Sequence, residues 1–122
     1  MGSVPSFLLK KLYATGSLKN TATGFELAIR NTLAPGTIVG LATLRVDGTT
    51  YEIDRITAVL PDDRSVSAAD VSPQSAVCFA LGDKVTLQVQ GQPLSAGRHK
   101  LVISPTTKEA GTLDIVAEDA IQ

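Results

Sequence analysis

The sequence predicts an all-β domain, an antiparallel β-sandwich of two packed sheets with about eight or nine strands. Three observations carry that prediction. Apolar and polar residues alternate with a period of two in stretch after stretch, the pattern of strands with one buried face. Turn residues separate these stretches at spacings of roughly 8–12 positions, as in sandwiches and barrels. No stretch of roughly 12 residues carries a convincing 3.6-residue repeat. The composition agrees, since 122 residues, 43% hydrophobic and 19% charged, suit one ordinary globular domain without metal or disulfide staples.

Residues 1–21 read as an N-terminal arm, and 22–122 as the single sandwich domain. In the arm, Phe7, Leu8 and Leu9 form an apolar cluster, followed by Lys10-Lys11 and Leu12-Tyr13. In the first strand Phe25, Leu27 and Ile29 share a face, with Glu26, Ala28 and Arg30 opposite. Leu33-Ala34-Pro35-Gly36 makes a turn, Pro presetting φ and Gly taking the positive φ of a type II geometry. Ile38 to Val46 is strand again, ending at Asp47-Gly48, the residue pair of a type I′ hairpin, with Tyr51 and Ile53 on the return strand.

Ile56 to Leu60 reads as a further strand closed by Pro61-Asp62-Asp63, and Ser67 to Asp70 as one helical turn or a loop. Ala76 to Leu81 is a buried apolar run. Gly82-Asp83 turns it into Val85, Leu87 and Val89, which alternate with Lys84, Thr86, Gln88 and Gln90. A loop from Gly91 to Gly97 leads to a strand with His99, Leu101 and Ile103 on one face, and Leu113, Ile115 and Ala117 close the domain. Phe25, Leu27, Ile29, Leu87, Val89, Leu101 and Ile115 are therefore the expected core.

Eleven Lys+Arg against twelve Asp+Glu give a net charge of −1. That balance offers no overall attraction for nucleic acid or anionic lipid, so neither is expected as a partner. No apolar run approaches the roughly 18 residues of a membrane span. The positive charge follows rather than precedes the apolar cluster, which argues against a signal peptide. A single cysteine excludes an intrachain disulfide and suits the cytoplasm. Met1 to Ser6 matches the loose N-myristoylation pattern, but no polybasic patch supplies a second anchor, and an ordinary start explains it.

The inventory for chemistry is poor. His99 is the only imidazole and shares its strand face with Leu101 and Ile103, so a structural role fits it better than metal binding or catalysis. Cys78 lies in the apolar Ala76-Val77-Cys78-Phe79-Ala80 and reads as buried filler. Asp47, Asp62, Asp63 and Asp83 fall in turns, where an Asp bonds its own backbone. Neither a phosphate-binding glycine loop nor a serine nucleophile elbow is present. Thr106-Thr107-Lys108-Glu109 is a polar loop that fits solvent as well as it fits a ligand. No catalytic, cofactor-binding or metal-binding residue is expected on this chain.

Gly16-Ser17-Leu18-Lys19-Asn20-Thr21, Gly24-Phe25-Glu26, Leu33-Ala34-Pro35-Gly36-Thr37 and Val46-Asp47-Gly48 occur in that order. Leu81-Gly82-Asp83, Pro93-Leu94, Gly97-Arg98-His99 and Thr107-Lys108-Glu109-Ala110-Gly111 follow. As an ordered set, from Gly16 to Ile121, these phrases resemble the small β subunit of bacterial C-glycoside deglycosidases; Asp62 to Ser75 lies outside the match. The resemblance implies a β-sandwich that assembles with a larger TIM-barrel α subunit in a hetero-oligomer. That partner would carry a divalent metal, manganese, and the acid–base residues. The complex would act as a carbon–carbon lyase, expelling the aglycone of a 3-oxo-C-glycoside by elimination, with the metal stabilising an enolate.

Two classes of function thus stand side by side: a non-catalytic subunit of that lyase, and a free-standing immunoglobulin-like binding or structural module. The arm favours the first. If it packed on nothing in its own domain, each of its large apolar side chains would forgo roughly 1.5–3 kcal/mol of burial. Phe7, Leu8, Leu9, Leu12 and Tyr13 are accordingly the expected partner interface.

Overall fold

The computed structural model describes Pro5 to Ile121; most of the N-terminal acylation pattern lies outside the described residues. The order of elements is helix α1 (Ser6–Leu9), a 3-10 turn (Lys10–Leu12), and strands β1 (Lys19–Thr21), β2 (Gly24–Arg30), β3 (Gly36–Val46) and β4 (Thr49–Thr50). After a 3-10 turn (Ile53–Arg55) come β5 (Ile56–Val59) and β6 (Ser65–Ser67), then a third 3-10 turn (Ala68–Asp70). The chain ends with β7 (Val77–Phe79), β8 (Lys84–Gln90), β9 (Gly97–Thr107), β10 (Gly111–Thr112) and β11 (Ile115–Ile121).

The strands form two antiparallel sheets. The first runs β1-β2-β8-β5-β6. The second is built on the long pair β3 and β9, with β10 and β11 on the outer side of β9 and β4 and β7 on the outer side of β3. Register shifts between Ile38 and Gly40 and between Leu41 and Thr43 bend β3 against its neighbour, as bulges do. The antiparallel two-sheet fold agrees with the alternation read from the sequence. Strands among the described residues number 11 rather than eight or nine, because pairs such as Thr49–Thr50 and Gly111–Thr112 are too short to leave a periodic signal.

The expected core is the core. Phe25, Leu27, Leu101 and Ile115 are fully buried, and Ile29, Leu87 and Val89 nearly so. Between β2 and β11 the only helical pieces are 3-10 turns of three residues. At Gly24 a Cβ would run into the Val89 carbonyl, so the close approach of β2 to β8 requires glycine there.

Four local readings are corrected. Tyr51 and Ile53 do not continue the return strand: β4 stops at Thr50, and Tyr51 turns inward to meet Phe25 edge-on with ring centroids 5.2 Å apart. Gly36 takes no positive φ and instead opens β3, because the preceding loop is organised by Asn31 rather than by a type II turn. Cys78 is exposed, not buried; it alternates with buried Val77 and Phe79 on a strand of only three residues.

The arm is the fourth correction. Residues 1–21 are not separate from the sandwich in the part described. Leu9, Leu12 and Tyr13 are buried in its core, Tyr13 bridges Ile29 of β2, the Ala14 N–H donates to the Ala28 carbonyl at 3.0 Å, and β1 is a strand of the first sheet. The segment lies along the open side of the sandwich, touching β2 of one sheet and β11 of the other. It seals the core there.

Candidate functional site

Among the described residues no group of three or more His, Cys, Asp and Glu converges as a metal site would. The polar side chains that do gather are spent on holding loops. His99 is buried at the start of β9. Its Nδ1 lies 2.6 Å from Asp47 Oδ2 and its Nε2 lies 2.7 Å from the Ser95 carbonyl oxygen. Asp47 sits at φ 53° in the β3–β4 hairpin, followed by Gly48 at φ 84°, the left-handed pair of a type I′ turn. Its other oxygen accepts the Lys100 N–H at 2.9 Å.

Facing two acceptors, the ring is best satisfied as the imidazolium, which donates from both nitrogens. The bond to the Ser95 carbonyl, and then that to Asp47, hold its pKa above the usual histidine value. The Lys100 N–H, and then His99, hold the Asp47 carboxyl below the usual carboxylate value. The dyad pins the β3–β4 hairpin to the β8–β9 loop, and Asn20 grips the same loop through Leu94 N–H and C=O, both at 2.8 Å.

Asp119 of β11 stands opposite His99 of β9 in the ladder and fastens the N-terminal segment. Its Oδ2 accepts the Tyr13 hydroxyl at 2.6 Å, the Gly16 N–H at 2.8 Å and the Leu18 N–H at 3.4 Å. Burial alone would raise its pKa, but the bonds from Tyr13 and the backbone outweigh that and hold it low. Burial and the same carboxylate push the Tyr13 phenol up.

At another corner buried Asn31 donates to the Ala34 and Phe79 carbonyls at 2.8 and 2.7 Å and accepts from the Leu33 and Ala34 N–H groups. Glu109, in the loop that reads as either solvated or ligand-facing, clamps Thr37 through its N–H at 2.9 Å and its hydroxyl at 3.0 Å. These two braces frame an apolar cleft of about 160 Å³ between Leu33, Pro35, Phe79, Ala110 and Leu113.

Of the expected interface residues, Leu9, Leu12 and Tyr13 are buried in the chain's own core, Leu8 is half-buried and Phe7 is 65% exposed. Only Phe7 is wholly available to a partner. Sequence reasoning passed over Asp119, Asn31 and Glu109 as structural braces. An Asn at the head of a loop is a known turn signal, so Asn31 was findable, whereas Asp119 bonds groups about a hundred positions away and nothing local marks it.

Fold and side chains together define a small antiparallel β-sandwich whose His99–Asp47, Tyr13–Asp119, Asn31 and Glu109 groups brace its loops. The chain belongs to the hydroxymethylglutaryl-CoA reductase N-terminal domain family, whose sequence model matches residues 8–122. Among curated proteins nothing matches it. The family match overturns the resemblance to the β subunit of C-glycoside deglycosidases. The reason is visible in the structure: the phrases that carried that resemblance are turn chemistry. Gly16, Gly48, Gly82, Gly97 and Gly111 all take positive φ, Asp83 accepts the Ala80 N–H across its own turn, and Asn20 and Glu109 brace loops. Such phrases mark a braced sandwich and do not single out one family. The lyase chemistry, the manganese and the TIM-barrel partner implied by that resemblance lose the support it gave them. No helix among the described residues is long and apolar enough to cross a membrane.

Proposed function

We propose that this chain is a non-catalytic accessory module that works docked on a larger catalytic protein, where any metal and acid–base chemistry resides. One observation carries the reading. The titratable side chains that cluster in the sandwich (His99 with Asp47, and Tyr13 with Asp119) direct their bonds to each other and to backbone groups. A catalytic acid or base needs a substrate proton within hydrogen-bond reach, and these groups already hold structural partners.

The family is described as the N-terminal domain of hydroxymethylglutaryl-CoA reductase, which supports the catalytic part of such a reductase as what this module docks on. A lone exposed cysteine suits a reducing cytoplasm as the place of work. The alternative, a free-standing binding module, gains nothing from the buried part of the arm and must leave Phe7 in water.

The test is turnover. The purified chain, assayed with hydroxymethylglutaryl-CoA and a hydride donor, is expected to be silent, and adding the catalytic chain is expected to give a rate above that chain's own. Sustained turnover by the small chain alone would overturn the assignment.

A further inference from the structure

Three large hydrophobic side chains are exposed among the described residues, Phe7, Leu81 and Val116. Two of them flank one seam, where the N-terminal segment lies along β11. Lys10, Tyr13, Lys100, Val116, Ala117 and Glu118 line a shallow open depression there. Phe7 stands one helical turn before Lys10, hence on the same side of the segment, and α1 touches β11. The strand register puts Val116 opposite Val102 and Glu118 opposite Lys100, so the floor is the outer face of the second sheet.

The charge at this seam departs from that of the whole chain. Lys10, Lys11 and Lys100 form no ion pair among the described residues, whereas Glu118, the carboxylate in the depression, is engaged by Arg98 at 3.2 Å. Asp119, at the same seam, accepts at Oδ2 from the Tyr13 hydroxyl and the Gly16 and Leu18 N–H groups. In a chain of net charge −1 the depression thus holds two lysines without an ion pair among the described residues, Lys10 and Lys100, beside an exposed valine, with Glu118 engaged by Arg98 and Phe7 one turn before Lys10. Apolar anchors beside an excess of positive charge describe a protein-docking surface with a charge-complementary partner.

We infer that this seam docks an acidic segment of the catalytic partner, one that places an aliphatic or aromatic side chain over Val116 beside Phe7 and Asp or Glu residues against Lys10 and Lys100. The inference rests on the accessory-module reading and names the surface that reading requires. Phe7 serves as the aromatic anchor, the kind of residue that dominates interface energetics. The lysines steer the encounter and set its register.

Photo-crosslinking in the native source tests it. The probe is p-benzoylphenylalanine, placed in the full chain at Phe7 or, as a control, at Gln88, which is exposed on the first sheet. Position 7 is expected to cross-link to one protein chain, at a stretch rich in Asp and Glu, and Gln88 is not. The double variant Lys10→Glu/Lys100→Glu should lower the position-7 yield about tenfold or more, since opposed like charges disfavour docking strongly. The inference is overturned by equal yields from both positions, by cross-links to lipid or to a basic stretch, by an undiminished yield in the double variant, or by no cross-link from position 7. The mass of the native species, measured in parallel, separates the two failures. A hetero-complex without position-7 cross-links sinks only this surface; a lone chain sinks the accessory reading as well.

Discussion

His99 is the residue on which pH acts. Its pKa is raised in the folded chain, so its contribution to stability is fully present below the unfolded value of about 6.5 and is lost as pH rises through the folded value. Once neutral, the ring can donate to Asp47 or to the Ser95 carbonyl but not to both. Thermal unfolding between pH 6 and 9 (on the order of one histidine's titration range) should show a fall in Tm that flattens in His99→Gln. An unchanged slope in that variant would place the pH dependence elsewhere. Asn31 makes the second prediction at this scale. Asn31→Ala strands two carbonyls and two N–H groups around a buried site, and a loss of about 2–4 kcal/mol is expected in denaturant unfolding. Cys78→Ser should change stability by less than about 0.5 kcal/mol, as exposed substitutions away from special features do.

Among the elements, the N-terminal segment departs most from its sequence reading. A run of Phe-Leu-Leu followed by two lysines looks like an appendage because its spacing matches neither a strand nor a helix of useful length. Its burial depends on the gap between β2 and β11, and those strands are far away in sequence. Deleting residues 5–13 removes Leu9, Leu12 and Tyr13 from the core, at about 1.5–3 kcal/mol each. That loss is a large part of a domain's whole stability, so the truncated chain is expected to unfold or aggregate at 25 °C. Circular dichroism and denaturant melts of the truncated chain check this; a cooperative fold of undiminished stability would show that the strap is dispensable. The strands themselves were legible. Phe25-Leu27-Ile29 and Val85-Leu87-Val89 alternate cleanly because each pleat has one wet and one dry face, whereas three-residue β7 is too short to show that Cys78 points outward.

The sandwich as a whole uses its polar residues to tie loops at its ends and its apolar residues to fill the space between sheets. The fold class followed from periodicity and turn spacing alone. The braces did not: Asp47 reads as a turn residue that bonds its own backbone, but its carboxylate holds His99 and the Lys100 N–H, and Asp119 and Glu109 likewise act across long separations that no local pattern encodes. The seam of Phe7, Val116, Lys10 and Lys100, the two lysines forming no ion pair among the described residues, offers the kind of surface an accessory role needs. The most direct measurement is the mass of the native species at cellular concentration, by light scattering or native mass spectrometry. A complex well above 12.7 kDa, containing one larger catalytic chain and dissociated by Phe7→Asp, is the predicted result. A single species at 12.7 kDa would contradict the account.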